Sequence, residues 1–202
     1  MLVLVGCECS QIVTAAFIAA GHDAYSCDLE PSYGAYPERH FQGDIKEVYE
    51  LVKPDLFICH PPCTYLSNVG TPLVFRRGGE IKDFVRYEKG LFARDLFLWA
   101  LSRPCDMVAV ENPIPMKCWG LPKPTQYIEP YLFGDPYTKH TGLWLRGLPA
   151  LVATDIVKPI GSWTHIHYSP RIRSQTFRGI AKAMAAQWIG KNAPGYQFCL
   201  EC

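Results

Sequence analysis

Short apolar runs alternate along this chain with longer segments in which apolar residues recur at helical spacing. The runs have the length of buried strands, and the longer segments have the period of helices that pack one face against a sheet. Strands are predicted at Leu2–Gly6, Asp23–Asp28, Phe41–Ile45, a run ending at His60 and Met107–Val110, and helices at Ser10–Ala20, Lys46–Val52, Ile81–Ser102 and Gly179–Ile189. Ser10 is expected to be the N-cap of the first helix, and Gly21 to follow its last turn. The alternation predicts an α/β protein with a mostly parallel, doubly wound sheet.

The pattern changes after Glu111, where proline and glycine become frequent. Two stretches there, Tyr127–Phe133 and Gly142–Arg146, predict an antiparallel pair added to the parallel sheet near its C-terminal end. The chain has 202 residues, of which 49% are hydrophobic, with no internal repeat or clear linker. We therefore expect residues 1–202 to form a single domain with a substantial core.

Composition and charge narrow the classes of function. The formal net charge is only +1, so overall charge makes no case for a nucleic-acid partner, although cations cluster in segments 76–89 and 171–182. No apolar stretch approaches the ~20 residues needed to cross a bilayer, and the N-terminus lacks the features of a signal peptide. The protein is expected to be cytoplasmic with no membrane partner, and its nine cysteines to be reduced thiols.

Two reactive side chains follow neighbouring predicted strands. The run that ends at His60 leads through two prolines to Cys63, and the run Met107–Val110 leads directly to Glu111. A thiolate can add to C6 of a pyrimidine while a carboxyl near N3 takes up the developing charge, which makes C5 nucleophilic. A lone cysteine after a strand is more often a small buried apolar residue, so the hypothesis depends on the pair. His60 either orients Cys63 or caps the strand, and the sequence leaves both readings open.

The first strand-to-helix turn does not have the pattern of a dinucleotide site. Gly6-Cys7-Glu8-Cys9-Ser10 contains a single glycine, whereas a pyrophosphate cradle has the pattern G-x-G-x-x-G. Asp28 and Glu30 end the second strand, where a carboxylate can hold the hydroxyls of a ribose, and Asp44 can reach an adenine amino group. Each is also an ordinary exposed acid at a strand end, but together, in this order, they suggest S-adenosylmethionine.

Metal binding is the main competing chemistry. Cys199 and Cys202 form a C-x-x-C pair, and His165 and His167 would point to one side of an extended segment. A zinc ribbon needs two cysteine pairs at set spacing, and only one is present. Exposed polar residues are the simpler reading of the two histidines. No metal site is predicted, and zinc at the Cys199/Cys202 pair stays open.

Several segments, taken in order, resemble the cofactor and catalytic motifs of DNA cytosine C5-methyltransferases. They are Val5–Ser10, Cys27–Glu30, Gly43–Ile45, His60–Cys63 and Val110–Pro113. Longer stretches resemble a compact phage- and prophage-type group of proteins related to those enzymes, namely Pro61–Ser67, Tyr131–Gly134, Thr138–Pro149 and Arg173–Ala181. The resemblance covers most of the chain. It implies a Rossmann-like, S-adenosylmethionine-dependent methyltransferase fold.

The resemblance also implies roles for individual residues. The catalytic set would be Cys63 as nucleophile, Glu111 as the carboxyl at N3, Asn112 and Pro62. The residues expected to contact S-adenosylmethionine are Gly6, Cys7, Glu8, Ser10, Asp28, Leu29, Asp44 and Pro61. The residues expected to contact the substrate are Ser67, Lys139 and Arg173.

The chain departs from the pattern of that family in four places. The glycine-rich cofactor loop is reduced to Gly6, and the usual Glu-Asn-Val is Glu-Asn-Pro. The arginine motif that steadies the catalytic loop is replaced by Lys139-His140 or supplied by Arg173. Only about 27 residues separate Gly147 from Ser174, too few for the separate target-recognition domain that reads bases in a groove.

The predicted function is C5-methylation of cytosine in DNA through a covalent Cys63 adduct, with the base flipped out if the substrate is a duplex. The alternatives are the same chemistry on a free or single-stranded nucleotide, and a non-catalytic descendant that binds nucleic acid or a partner protein. A homodimer or a partner chain could supply the missing recognition surface, and a bacterial or phage-infected cell is the expected setting. The target sequence and the exact group transferred stay open.

Overall fold

The computed structural model describes residues 1–166 and 169–188, and these contain one central sheet. Its strands are β1 (Leu2–Gly6), β2 (Asp23–Asp28), β3 (His40–Gln42), β4 (Leu56–Cys59), β5 (Met107–Pro113), β6 (Gln126–Ile128) and β8 (Thr141–Arg146), in the order β3-β2-β1-β4-β5-β8-β6. The first five are mutually parallel. The β8 strand runs antiparallel to both β5 and β6.

This topology confirms the predicted fold class, a Rossmann-like, mostly parallel and doubly wound α/β sheet with an antiparallel strand near its C-terminal end. The strand order reverses direction beside β1, so the carboxyl ends of β1 and β4 border the switch point at which α/β sheets bind ligands. The predicted antiparallel pair near the C-terminal end is also present, although it is shorter than expected. The first of its strands ends at Ile128, and a short 3₁₀ turn at Pro130–Leu132 follows where more strand was predicted.

Helices cover both faces of the sheet. They are α1 (Ile12–Ala19), α2 (Ile45–Val52), α3 (Thr71–Val74), α4 (Phe84–Leu101), α5 (Trp163–Ile166), α6 (Pro170–Arg173) and α7 (Arg178–Trp188). Successive residues of a strand point to opposite faces, so Val3 and Val5 pack toward α1 and α7 while Leu4 packs toward α2 and α4. Two apolar layers with the sheet between them therefore form the core.

The start of α1 corrects one prediction. The helix begins at Ile12, and its N-cap is Gln11 in a left-handed conformation rather than Ser10. The exposed amides of the first turn are satisfied by Glu8, whose carboxylate accepts from Val13 N at 2.6 Å and Thr14 N at 3.2 Å. A buried carboxylate at a helix N-terminus is favoured by the helix dipole as well as by these bonds. At the other end, Gly21 follows the helix with φ near 87°, as predicted.

Other element boundaries shift by a few residues. The third strand covers His40–Gln42 instead of Phe41–Ile45, because Asp44 becomes the N-cap of α2 and accepts from Lys46 N. The long amphipathic helix begins at Phe84, where the Asp83 carboxylate caps it, rather than at Ile81. The closing helix runs Arg178–Trp188, and its predicted last residue, Ile189, lies outside the described residues.

The segment between β8 and α7 contains little regular structure. Its one strand among the described residues, the two-residue β9 (Gly161–Ser162), pairs in parallel with β7 (Tyr137–Thr138), which precedes β8, as a separate small sheet. They precede the four-residue helices α5 and α6. His165 is an exposed residue of α5, whereas its predicted companion His167 lies outside the described residues. None of the helices in the described part of the chain is long and apolar enough to span a membrane.

Candidate active site

The two predicted reactive residues lie at the same edge of the sheet. The β4 and β5 strands pair in parallel with Cys59 opposite Val110, so the next residues, His60 and Glu111, also lie side by side. The two prolines after His60 cannot continue a central strand, and the chain turns there to deliver Cys63. The sheet register thus brings together side chains that are 48 positions apart in the sequence.

Glu111 is held by His60. The His60 Nδ1 atom lies 3.0 Å from Glu111 Oε2, and the two side chains are only 10% and 15% exposed. Burial opposes ionisation of Glu111, but the hydrogen bond from His60, its charge and that of Lys139 outweigh burial, so the pKa of Glu111 lies below its usual value. Two readings of His60 were left open, that it orients Cys63 or caps the strand, and its observed side-chain hydrogen bond is instead to the Glu111 carboxylate.

Asn112 locks the two strand ends together. Its side chain is fully buried, and its Nδ2 donates to the carbonyl of Pro61 at 3.0 Å. The Oδ1 atom is buried without a hydrogen-bond partner among the described residues. A buried amide that bridges two strands fixes their relative position. Asn112 therefore holds the turn that carries Pro62 and Cys63 against the strand that carries Glu111.

The surroundings of Cys63 favour its protonated form. Burial and the negative charge of Glu111 raise the pKa of the thiol, and the charges of Lys139 and Arg173 only partly offset this. Because the thiolate is the nucleophile, Cys63 must lose its proton before it can react. A proton acceptor close to the thiol is therefore required at the moment of attack.

The loop after Cys63 is built onto the segment that follows Glu111. Asn68 N donates to Ile114 O at 2.9 Å, and Met116 N donates to Leu66 O at 2.8 Å. Ser67, predicted to contact substrate, forms a backbone bridge with Pro115 and donates its amide to Cys63 O. It does not line the cavity described below. In this structure its backbone shapes the loop that follows Cys63.

The same loop is anchored by Arg86, which the sequence analysis did not single out. Arg86 Nη2 donates to Thr64 O at 3.0 Å, one residue after Cys63, and the guanidinium lies 5.1 Å from the Tyr65 ring centre. The arginine motif was expected to be replaced by Lys139-His140 or supplied by Arg173. Among the described residues Arg86 is the arginine that contacts this loop, and no local motif marks it, because the contact joins residues 22 positions apart.

One cavity of about 370 Å³ joins the reactive pair to the predicted cofactor residues. Its lining includes most of the predicted site: Cys7, Glu8, Ser10, Asp28, Leu29, Asp44, Pro61, Pro62, Cys63, Glu111, Asn112 and Lys139. Asp28 Oδ1 accepts from Glu30 N, and Asp44 Oδ1 accepts from Lys46 N. The second oxygen of each carboxylate accepts no hydrogen bond within the described part of the chain, so each acid can still bind a ligand.

Two predicted cofactor residues have structural tasks of their own. Gly6 does not line the cavity, and a Cβ atom there would lie 2.7 Å from Ile45 Cγ1, so this glycine allows α2 to pack closely against β1. Glu8 lines the cavity but is only 4% exposed and is bound to the first turn of α1. Burial raises the pKa of Glu8, against the opposing charge of His60 and the hydrogen bonds from Thr14 and Val13.

The cavity is bordered on one side by the segment around α6. Lys139 Nζ donates to the carbonyls of Arg173 and Gln175 at 3.0 and 3.3 Å. Arg171 lies over the Tyr33 ring with its guanidinium carbon 3.7 Å from the ring centre, and Gln175 contacts the same tyrosine. Two of the three predicted substrate residues therefore meet here. The Lys139 ammonium is largely bound to backbone, and the exposed Arg173 side chain does not line the cavity.

Within residues 1–166 and 169–188, no three His, Cys, Asp or Glu side chains lie close enough together to hold a metal ion. Cys7 and Cys9 are present as free thiols. The Cys199 and Cys202 pair, for which zinc was left open, lies outside the described residues.

Two solved structures to which the chain is similar share little sequence with it. No protein-family model matches the chain, and no curated protein matches it. A prophage-encoded protein from E. coli, described as a DNA modification methyltransferase, is 13% identical over 78% of this chain and 52% of its own, with a TM-score of 0.45. A triple mutant of Spodoptera frugiperda DNMT2 is 13% identical over 79% of this chain and 55% of its own, with a TM-score of 0.39. The chain spans about half the length of these solved structures.

Proposed function

We propose that this protein is an S-adenosylmethionine-dependent C5-methyltransferase that acts on cytosine in DNA through a covalent adduct between Cys63 and C6 of the base. One observation carries the proposal: Cys63 and Glu111, delivered by adjacent parallel strands, line the same cavity as Asp28 and Asp44. A thiol, a carboxyl and a cofactor-sized space with two available acids are therefore contiguous. Sites at the carboxyl ends of parallel strands are where α/β sheets carry such chemistry.

Cys63 and Glu111 divide the chemistry of addition between them. The Cys63 thiolate forms a bond to C6, and the electrons of the C5=C6 bond shift so that N3 takes up a proton. The Glu111 carboxyl is the group that exchanges this proton with N3, and as a carboxylate it also accepts from the amino group at C4. The resulting ring carries electron density at C5, which is the position that then acquires the methyl group.

The residues at the other end of the cavity fit S-adenosylmethionine. The available oxygens of Asp28 and Asp44 lie at the ends of neighbouring strands, where they suit the hydroxyls of a ribose and the amino group of an adenine. The exposed Leu29 adds an apolar edge. When bound, the cofactor supplies an electrophilic methyl group, and the role of these residues is to orient it toward the base.

A second candidate is the same chemistry on a free or single-stranded nucleotide. Within the described residues, the segment between β8 and α7 offers one two-residue strand and two four-residue helices as regular structure. Direct readout of duplex DNA requires an element that fills a groove and contacts several bases, and these elements are too short. A nucleotide or an already unpaired base needs no such element.

Transfer of a labelled methyl group tests the proposal. The protein is incubated with methyl-labelled S-adenosylmethionine and duplex DNA, single-stranded DNA or cytidine nucleotides, and digested products are identified by mass spectrometry. We expect label in 5-methylcytosine from duplex DNA, and none with Cys63→Ala. Label only in single strands or nucleotides would establish the second candidate instead. Cofactor binding without transfer to any substrate would identify a non-catalytic descendant.

A further inference from the structure

His60 lines the cavity and is in direct contact with the Glu111 carboxylate. Its Nδ1 lies 3.0 Å from Glu111 Oε2, and the side chain is about nine-tenths buried. Its other ring nitrogen, Nε2, is buried without a hydrogen-bond partner among the described residues. The contact occupies one oxygen of the Glu111 carboxylate, whereas Oε1 accepts no hydrogen bond in the part of the chain that the structure describes. Of the two Glu111 oxygens, Oε2 is therefore bound by His60 and Oε1 is available to another group.

Charged groups from several elements face this pair. Glu8, in the turn after β1, interacts with His60, and Lys139, in the turn between β7 and β8, interacts with Glu111. The thiol of Cys63 interacts electrostatically with Glu111, with Lys139 and with Arg173 of α6. Among these groups His60 alone donates a hydrogen bond to the Glu111 carboxylate. It is the group most able to set both the orientation and the charge of that carboxylate.

We propose that His60 is a positioning residue for Glu111: by fixing Oε2 it leaves Oε1 as the oxygen that takes the Cys63 proton and passes it to N3 of the bound cytosine. This inference rests on the proposed function, since it identifies the source of the proton that reaches N3 in the proposed reaction. The S–H bond of Cys63 breaks, the S–C6 bond forms and an N3–H bond forms, so no outside acid or base is consumed. Glu111 ends the step ionised, as it began.

The physical reason is that the resting protonation states of Cys63 and Glu111 differ from those that addition needs. The site holds Cys63 as a thiol and Glu111 as a carboxylate, whereas addition needs a thiolate and a proton at N3. One proton transferred through Glu111 corrects both. A carboxylate without a partner could rotate and present either oxygen, and the His60 hydrogen bond removes that freedom.

The test combines two variants with a cofactor-independent readout. His60→Gln keeps a side-chain amide that can donate to Oε2 but removes the positive charge, and His60→Leu removes both. His40→Gln is the control for the same substitution, because His40 makes its side-chain hydrogen bonds, to the Ser26 hydroxyl and the Glu30 carbonyl, away from the pair. Thiol addition makes the C5 hydrogen of cytosine exchange with solvent deuterium, which is measured against pH without S-adenosylmethionine. Carbon NMR of labelled glutamate carboxyls, assigned with Glu111→Gln, follows the titration of Glu111 directly.

The pH dependence of the exchange rate is expected to shift to higher pH when the charge of His60 is removed. Exchange needs ionised Glu111, so its rate rises with pH through the pKa of Glu111, which His60 keeps low. In His60→Gln the pKa of Glu111 rises because a cation is lost, so the rising limb and the NMR titration both move to higher pH. The plateau rate stays within about tenfold of wild type. His60→Leu lowers the plateau by roughly tenfold to a hundredfold, the scale for losing a hydrogen bond to a charged group.

Other outcomes separate the two proposals. A uniform loss of rate in His60→Gln, with an unmoved limb and an unchanged Glu111 titration, would mean that His60 is only structural and would overturn this inference while leaving the methyltransferase proposal intact. Absence of exchange in the wild-type protein with every cytosine substrate would instead refute the addition chemistry, and the proton route with it. If His60→Leu does not fold, the Gln and control variants still decide the question.

Discussion

At Cys63, burial and the charge of Glu111 both favour the thiol, whereas Lys139 and Arg173 favour the thiolate. The balance keeps the residue protonated, and a protonated thiol at rest is inert toward most electrophiles. Under the proposed function, Cys63 becomes reactive only in the complex in which a base lies against Glu111. Asp28 and Asp44, which line the same cavity, each use one carboxylate oxygen in a hydrogen bond to a nearby backbone amide. The other oxygen of each stays available to a ligand.

Covalent trapping should report directly on Cys63. DNA containing 5-fluorocytosine should form a stable adduct with the protein and S-adenosylmethionine, because fluorine at C5 cannot leave as a proton and elimination is blocked. We expect the adduct, read as a mass shift, to disappear in Cys63→Ala. It should persist in Cys118→Ala, which removes an exposed thiol. An adduct of full strength in Cys63→Ala would refute the assignment.

The cofactor assignment predicts a loss of affinity at Asp28 and Asp44. Asp28→Asn and Asp44→Ser should each weaken S-adenosylmethionine binding by about 1–3 kcal/mol, the range for a hydrogen bond to a charged group. Serine at position 44 can still cap α2, so the fold is preserved. Calorimetric titration measures the change, with Glu47→Gln on the exposed face of α2 as the control. Unchanged affinity in both variants would show that the cofactor pocket lies elsewhere.

Among the elements, α4 does more than cover the sheet. Its Asp83 N-cap and first turn position Arg86, whose guanidinium binds the carbonyl next to Cys63. The loop that follows Cys63 is thus bound on one side by α4, through Arg86, and on the other by the segment that follows Glu111. A displacement of about 1 Å at a reacting atom can lower a rate by roughly a hundredfold, so the anchor matters although it is remote from the base.

Removal of the anchor should slow chemistry more than binding. Arg86→Met is expected to lower kcat, or the rate of adduct formation, by roughly tenfold to a hundredfold, with little change in cofactor affinity. Arg94→Met, on the exposed side of the same helix, is the matched control, since its contact is an ion pair with the adjacent Asp95. The rates are measured by quenching the reaction with 5-fluorocytosine DNA at successive times and quantifying the covalent adduct. Equal rates for Arg86→Met and wild type would exclude a role in holding the loop.

On the scale of the whole molecule, exposed cations cluster in two segments of a nearly neutral chain. The first has Arg76, Arg77 and Lys82 before α4 and Lys89 within it, and the second has Arg171, Arg173, Arg178 and Lys182 in or near α6 and α7. The two groups flank the elements that border the cavity. Such a distribution suits a few phosphate contacts, which add affinity without sequence information.

Duplex DNA should accordingly bind weakly, with strong dependence on salt. Each phosphate contact contributes about 0.9 to the slope of log affinity against log salt concentration. The double variant Arg76→Ala/Arg77→Ala should therefore reduce the slope by up to about 2, measured by fluorescence anisotropy, whereas Arg94→Ala should not change it. Sequencing of modified positions should show little discrimination between sites. A strict motif of four or more base pairs produced by the monomer would contradict this expectation.

The sequence by itself predicted the order of the main strands and helices and singled out Cys63 and Glu111 as candidates, because apolar periodicity and strand-end chemistry are local signals. Cys63 and Glu111 each follow a recognisable apolar run, and parallel strands end at a common edge. Only the tertiary structure decided how the first turn of α1 is held. The buried Glu8 carboxylate accepts from Val13 N and Thr14 N, whereas Ser10, the predicted N-cap, accepts among the described residues only from Ile12 N at 3.5 Å. The contacts of His60 with Glu111 and of Arg86 with Thr64 depend on sheet register and helix packing, which join residues 51 and 22 positions apart.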